Sequence, residues 1–230
     1  MPRPPYATVA SVDRYRRQTV LPEIGPRGQR ALGRSRVVVI GLGALGSVSS
    51  ELLARAGVGH LRLVDRDVVE VPNLQRQTLY SEEDVDHPKA EAAARRLRQI
   101  ISSVDIEGVA KDVHAATIGA LMKGADLLVD GTANLETRYL LNEAAMEASI
   151  PFVYAGALGT YGMVFAVRSP ETACFRCLNP TMPPAGSLPT CETAGILNTL
   201  SAQVGAIEAG EAIRLVLGHP PSGDLLVVDG

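Results

Sequence analysis

Val37-Val38-Val39-Ile40 runs directly into Gly41-Leu42-Gly43-Ala44-Leu45-Gly46, and the reading of this junction decides the fold. An apolar strand followed by Gly-x-Gly-x-x-Gly is the dinucleotide-binding fingerprint. It uses one glycine for a tight turn, one for close approach of backbone to phosphate and one for helix packing on the strand. The helix that starts there presents free N-terminal amides, which attract anions. A second apolar run, Leu61-Arg62-Leu63-Val64, ends in Asp65, where an acid can accept both hydroxyls of a ribose. These residues predict a nucleotide site, with a purely structural glycine turn as the plainer alternative.

The pattern outward from this junction alternates. Strands are expected over 36–41, 61–65, 104–110 and 127–130, and a fifth from Pro151 to Gly156. Between them the sequence predicts helices from about Ala44 to Ala56, closed by Gly57 and Gly59, then from Lys89 to Ser102, and from Asn134, a capping residue, to Ser149. After Gly156 the pattern changes to looser strands at 163–168 and 225–229 around a helix from about Leu197 to Leu217, stopped by Gly218 and Pro220. The fold class is therefore α/β, a Rossmann-like doubly wound, mostly parallel sheet with an antiparallel C-terminal extension. Residues 1–12 read as a flexible Pro-rich N-terminus and 13–230 as a single domain without internal repeats.

At 230 residues the chain can bury a full core, and its net charge of −3 gives no drive toward nucleic acid or an anionic membrane. Neither a signal peptide nor a membrane-spanning run is present in the sequence, so no membrane or nucleic-acid partner is expected. Three cysteines, an odd number, argue against a disulfide framework and for a reducing cytoplasmic home.

The residues after Asp65 separate the nucleotides. Asn73-Leu74-Gln75-Arg76-Gln77 and Lys89 follow it closely. A nicotinamide site holds its pyrophosphate through backbone amides and needs no such cations. A triphosphate about to lose pyrophosphate needs them to neutralise the leaving group. Each residue alone reads equally well as a cap or a solvated charge; the ordered set does not.

That order carries a resemblance. Arg17-Gln18, the glycine turn, Asp65-x-Asp67, Asn73-Leu74-Gln75-Arg76-Gln77, Lys89, Cys174-x-x-Cys177 and Thr190-Cys191-x-x-x-Gly195 match the ThiF/MoeB family in order and spacing. The chain resembles this family over nearly all of residues 13–230, and the family is related to ubiquitin-activating enzymes. The resemblance implies ATP- and Mg²⁺-dependent adenylation of the C-terminal glycine of a small ubiquitin-like β-grasp carrier, with release of pyrophosphate. It implies nucleotide binding by Gly41, Gly43, Gly46, Asp65, Asp67, Asn73, Arg76, Gln77 and Lys89. Catalytic roles are implied for Arg76, Lys89, Cys191 and Arg17, the last reaching across a homodimer into the partner's site.

Two features depart from the family pattern. The family places a metal-binding aspartate in Asp-x-Thr-Asp-Asn, but here Asp130-Gly131-Thr132-Ala133-Asn134 puts Ala133 at that position. Mg²⁺ on a triphosphate is held by one or two carboxylates besides phosphate oxygens and water. The expectation is ATP binding with slow adenylation, from an inactivating substitution, which the otherwise intact site favours, or in a natural member of reduced activity. Cys174 and Cys177 have the spacing of half a zinc site, whereas a structural zinc takes four ligands. His219 is the nearest spare ligand type, so a partial zinc site and a redox pair both stay open. Cys191 is either a covalent partner of the carrier, as in some relatives, or a quiet thiol. Outside this family two alternatives remain: a nicotinamide-dependent oxidoreductase, for which the four histidines show no acid/base arrangement, and a non-catalytic carrier-binding scaffold.

Overall fold

A computed structural model describes residues 14–184 and 187–230, so the expectation of a flexible segment at 1–12 lies outside the described residues. Seven strands form one sheet in the order β3-β2-β1-β4-β5-β6-β7. They are β1 Arg36–Ile40, β2 His60–Val64, β3 Asp105–Val109, β4 Leu127–Asp130, β5 Phe152–Leu158, β6 Tyr161–Val167 and β7 Leu226–Asp229. The first five run parallel. β6 returns antiparallel beside β5, and β7 antiparallel beside β6. The α/β reading with an antiparallel extension is the observed architecture.

The helices are α1 Arg16–Thr19, α2 Gly25–Leu32, α3 Gly46–Ala56, α4 Lys89–Ile100, α5 Ile118–Leu121, α6 Leu135–Ala148, α7 Phe175–Leu178, α8 Cys191–Ala194 and α9 Asn198–Val216. Their stops are chemical. Gly57 ends α3 in the left-handed region at φ +88°, a conformation only glycine adopts without strain. Asn134 starts α6 by accepting the Thr137 amide at 2.8 Å. The one-turn helices α5, α7 and α8 have no sequence periodicity to announce them.

Parallel strands covered on both faces must be apolar throughout, which is why Val37 to Ile40 form an unbroken run rather than an alternation. Val37 and Val39 join Leu32, Leu53, Leu97, Leu200 and Val204 in one core under α2, α3, α4 and α9. Val38 and Ile40 join Ile118, Tyr139, Leu141 and Phe175 in the other core under α5, α6 and α7. The strand order reverses between β1 and β4, so the crevice at their carboxyl ends is where this fold takes ligands.

The long helix α9 closes the structure by crossing α3. At the crossing, a Cβ on Gly205 would stand 2.8 Å from Val48 Cβ and 2.9 Å from the Leu45 carbonyl oxygen. Gly210, further along the same helix, has open space around it. Gly205→Val is expected to destabilise the fold by about 1–3 kcal/mol through overpacking. Gly210→Ala is expected to be neutral, or to stabilise by up to about 1 kcal/mol through helix propensity. Urea unfolding of the two variants checks the contrast.

Candidate functional site

The site starts where β1 ends. Gly41 takes φ +87°, donates its amide to the Val64 carbonyl at 2.8 Å, and has no room for a side chain. A Cβ there would lie 2.6 Å from the carbonyl carbon and oxygen of Gly131, and one on Gly46 would lie 1.9 Å from the Gly41 oxygen. Gly131, just past β4, is equally tight at 2.2 Å from the Gly41 oxygen. Gly43 differs: its nearest neighbour is Gln77 Nε2 at 3.9 Å. Gly41, Gly46 and Gly131 therefore lock three backbones together, while Gly43 leaves the turn open to a ligand. No side chain caps the N-terminus of α3 and its first turn carries no acid; the Ser47 amide turns back to the Gly43 carbonyl at 3.1 Å, so the positive end of the helix faces the turn without a carboxylate on it.

Asp65 follows β2 and braces the turn. One carboxylate oxygen accepts the Leu42 amide at 2.7 Å and the other accepts the Asp67 amide at 2.8 Å. Each oxygen keeps a further lone pair, which leaves acceptor capacity for ribose hydroxyls. Burial pushes this carboxyl above the usual range, while those two amides and Lys89 pull it back. From the other side, the buried Tyr80 hydroxyl donates to the Leu42 carbonyl at 2.9 Å. Tyr80 carried no sequence signal.

The cation-bearing segment wraps the front of the crevice. Asn73 closes a short 3₁₀ turn, Val71–Asn73, where its side chain accepts the Glu70 amide at 3.1 Å. Gln77 is buried, with Nε2 beside Gly43 and Oε1 without a hydrogen-bond partner, an acceptor still waiting for a donor. Lys89 opens α4 with its side chain only 8% exposed, and its Nζ lies 3.4 Å from Asp67 Oδ2. Arg76 is partly exposed and donates to the Pro72 carbonyl at 2.8 Å. The Asn198 side chain at the start of α9 ties down the Gln75 carbonyl at 3.3 Å. Gly43, Asp65, Asp67, Asn73, Gln77 and Lys89 thus share one crevice.

Arg17 does not join them. Its helix α1 docks at the far end of α3, where Gln18 Nε2 donates to the Ala56 carbonyl at 2.9 Å and to Gln29 at 2.7 Å. The Tyr15 ring covers Gly57 there. An eleven-residue helix separates that anchor from the glycine turn, a span of about 16 Å.

At the end of β4, Asp130 is fully buried and Ala133 is exposed. Asp130 Oδ1 accepts the Thr132 amide at 2.9 Å and the Thr132 hydroxyl at 2.6 Å. Its Oδ2 lies 3.3 Å from Arg138 Nε in an ion pair that lacks hydrogen-bond alignment. Burial raises the Asp130 carboxyl, and Arg138 and Thr132 oppose the rise. Arg138 also donates to the Thr132 carbonyl at 2.7 Å and to the Ala155 carbonyl at 3.2 Å, and its guanidinium sits 5.1 Å from the centre of the Tyr154 ring. Asp130 is thus committed to Arg138 and Thr132, and is closed to a metal ion. Sequence reading missed Arg138 altogether.

The cysteines fall in two places. Cys174 Sγ and Cys177 Sγ are 3.6 Å apart at the start of α7, which Phe175 plugs into the core between Tyr139 and Tyr154. Burial works to raise the Cys174 thiol, but hydrogen bonds from Cys177, Arg176 and Asn142 outweigh it and hold it below the ordinary value. Among the described residues no third Cys, His, Asp or Glu joins the pair to make a metal cluster, so a tetrahedral zinc does not fit these residues alone. His219 instead faces the Glu23 carbonyl at 3.3 Å. Cys191, half-buried, begins α8 behind the Thr190–Thr193 capping box.

Arg138 gives the site its first stability test. Arg138→Met leaves Asp130 buried without a countercharge and is expected to cost about 3–5 kcal/mol in urea unfolding. Adding Asp130→Asn should recover part of that loss, because the uncompensated charge is then gone.

The family described as ThiF matches residues 15–230. The sulfur carrier protein ThiS adenylyltransferase of Bacillus subtilis is 46% identical over 208 residues, which cover 90% of this chain and 61% of that protein. The SAMP-activating enzyme E1 of Haloferax volcanii is 42% identical over 220 residues, covering 95% and 81%. Among solved structures, E. coli MccB with ATP superposes with a TM-score of 0.82 over 94% of this chain and 68% of that one; at 22% identity it bears on the fold alone. No helix among the described residues is long and apolar enough to cross a membrane. With the glycine turn, the Asn-Leu-Gln-Arg-Gln segment and Lys89 in one crevice of this sheet, the chain belongs to the ThiF family.

Proposed function

We propose that this chain binds ATP and adenylates the C-terminal glycine carboxylate of a small ubiquitin-like carrier, with release of pyrophosphate. The observation that carries the reading is Lys89, a nearly buried ammonium held in the same crevice as the open Gly43 and the uncapped amides of α3. Burying a lysine is costly, and a polyphosphate is the ligand class for which such a cation is worth keeping. Two similar proteins are named for this chemistry: an adenylyltransferase of a sulfur carrier and an activating enzyme of SAMP.

In the reaction, a carrier carboxylate oxygen attacks the α-phosphorus and the bond to the bridging oxygen of pyrophosphate breaks. The products are an acyl-adenylate and pyrophosphate. The α3 amides and Gly43 bind phosphate, Asp65 meets the ribose, and Lys89 and Arg76 stabilise charge on the leaving group. Mg²⁺ would add charge neutralisation, and Asp67, exposed but paired with Lys89 at 3.4 Å and Arg66 at 3.6 Å, is the carboxylate that would hold it by loosening those pairs. Zinc at Cys174 and Cys177 would require ligands beyond the described residues. The working form is a homodimer in the cytoplasm, with Arg17 acting on the partner's nucleotide. That arrangement agrees with an α1 anchored far from its own glycine turn. Cys191 remains in reserve for a covalent step with the carrier.

ATP–pyrophosphate exchange in the presence of candidate carriers tests the function. Lys89→Ala and Arg76→Ala are expected to lower exchange by at least about a hundredfold, as is usual for a lost transition-state donor. Ala133→Asp is expected to raise exchange by at least about tenfold, the scale of effects around a metal site. Equal rates with and without that change would remove the slow-turnover reading. Ala133 also favours a second reading, a non-catalytic carrier-binding scaffold, for which carrier-dependent exchange would be absent. Arg17→Ala and Lys89→Ala chains should each be nearly inactive alone and regain exchange when mixed. No recovery on mixing means that Arg17 does not act in trans.

A further inference from the structure

The largest unexplained polar feature lies behind the glycine turn. Glu208 on α9 is completely buried, and neither carboxyl oxygen makes a hydrogen bond of ordinary geometry. Its helix is pressed onto α3 by the Gly205 crossing, one turn earlier, so the side chain has no route to solvent. Across from it α3 offers the Ser49 hydroxyl, buried and itself without a hydrogen bond of ordinary geometry. The charged groups within electrostatic reach are Asp130 from β4 and Arg138 from α6. β5 and β6 contribute apolar side chains such as Val153, Ala155 and Val164 to this core. On its own helix, Glu211 is directed to Arg214 at 3.5 Å.

Two acids and one guanidinium in a dry region leave room for one anion. Asp130 holds the better position, with Arg138 and two donors from Thr132. Glu208 is left with a hydroxyl neighbour and a like charge nearby. Burial pushes its carboxyl far above the ordinary range, Asp130 pushes the same way, and Ser49 and Arg138 resist.

We propose that Glu208 is a positioning residue that carries a proton in the working protein, and that this proton keeps Arg138 committed to Asp130 and Thr132, so that Gly131 holds the glycine turn in its nucleotide-binding shape. When Glu208 loses the proton, a second carboxylate competes for Arg138. The 130–132 segment then loses its clasp, and Gly131 packs directly on Gly41 and Gly46. The functional half of this inference rests on the ATP-binding reading above.

The test is a pair of pH profiles on the whole chain, for wild type, Glu208→Gln and, as a second neutral side chain of similar size, Glu208→Met. The folded carboxyl titrates above its unfolded value near 4.5. Stability conferred by the protonated group is therefore full below that pH and is lost as pH rises toward the folded value. Unfolding by urea should show wild type losing stability against both variants as pH climbs from about 5 to 9. ATP affinity, read by calorimetry, should fall in wild type by up to about tenfold per pH unit above the point of deprotonation and stay level in the variants. ATP's own titration is common to all three proteins. Parallel profiles with intact ATP binding overturn this inference alone. Absence of ATP binding by wild type at every pH overturns it together with the adenylation reading.

Discussion

Three backbones touch at the carboxyl ends of β1 and β4 with no side chain between them. Gly41 turns against Gly131, and Gly46 starts α3 against the Gly41 carbonyl, at separations that exclude a Cβ on any of the three. Every later feature of the crevice depends on that contact. It fixes where α3 begins, and so where its uncapped amides point. It sets the height of Gly43 above Gln77, and it brings the end of β4, with Asp130 and Thr132, under the same turn. Hydrogen bonds then hold the shape that exclusion selects. Asp65 grips the Leu42 amide, Tyr80 grips the Leu42 carbonyl, and the Gly131 amide returns to Ile40 at 2.8 Å.

The polyphosphate site proposed for this crevice needs a positive face, yet buried acids stand behind it. Asp65, Asp130 and Glu208 all lie close behind the turn, and three carboxylates there would oppose a polyphosphate more than Lys89 attracts it. Each is silenced differently. Asp65 is neutralised from the front by two amides and Lys89. Asp130 is neutralised from the side by Arg138 and Thr132. Glu208, with neither amides nor a cation of its own, is the acid for which a proton is the remaining counterion. A chain with formal charge −3 can thus present a cationic crevice, because its field there is set by desolvation and pairing rather than by net charge.

Sequence period and punctuation suffice for the sheet because parallel strands must be apolar on both faces and helices must stop at glycines such as Gly57 and Gly218. The residues proposed to meet the nucleotide are legible for a similar reason: Gly-x-Gly-x-x-Gly and the acid after β2 are local devices whose spacing is set by one βαβ unit. What escapes is tertiary. Gly131 follows a strand like any loop glycine until β1 is laid beside it. Arg138 reads as a solvated helix charge, although its guanidinium crosses back over Asp130 and the middle of β5. Glu208, Glu211 and Arg214 recur with helical spacing like an exposed face, but Gly205 draws α9 so close to α3 that Glu208 is sealed in. The role proposed for Arg17 rests on resemblance alone, because chain order does not record which copy's crevice an arginine would enter.

The proposed adenylation would have to proceed with Ala133 where the family pattern has a carboxylate. Lys89 and Arg76 offer two positive charges to a triphosphate, fewer than it carries, and a metal held by a carboxylate would ordinarily make up much of the difference. Asp130 does not step in for the missing carboxylate, since releasing it would strand Arg138 in a buried position. Asp67 can do so only by loosening its hold on Lys89, which trades one neutralising contact for another. The cheapest remaining source of positive charge is a side chain that is solvated at rest and reaches the phosphates only when the crevice is occupied. Arg17 meets the first condition, being exposed on a helix pinned at the opposite pole. In the proposed dimer a second copy of the chain would let it meet the other. If the chain adenylates as proposed, a weaker hold on the metal in this crevice would make that reaction lean more on the proposed dimer.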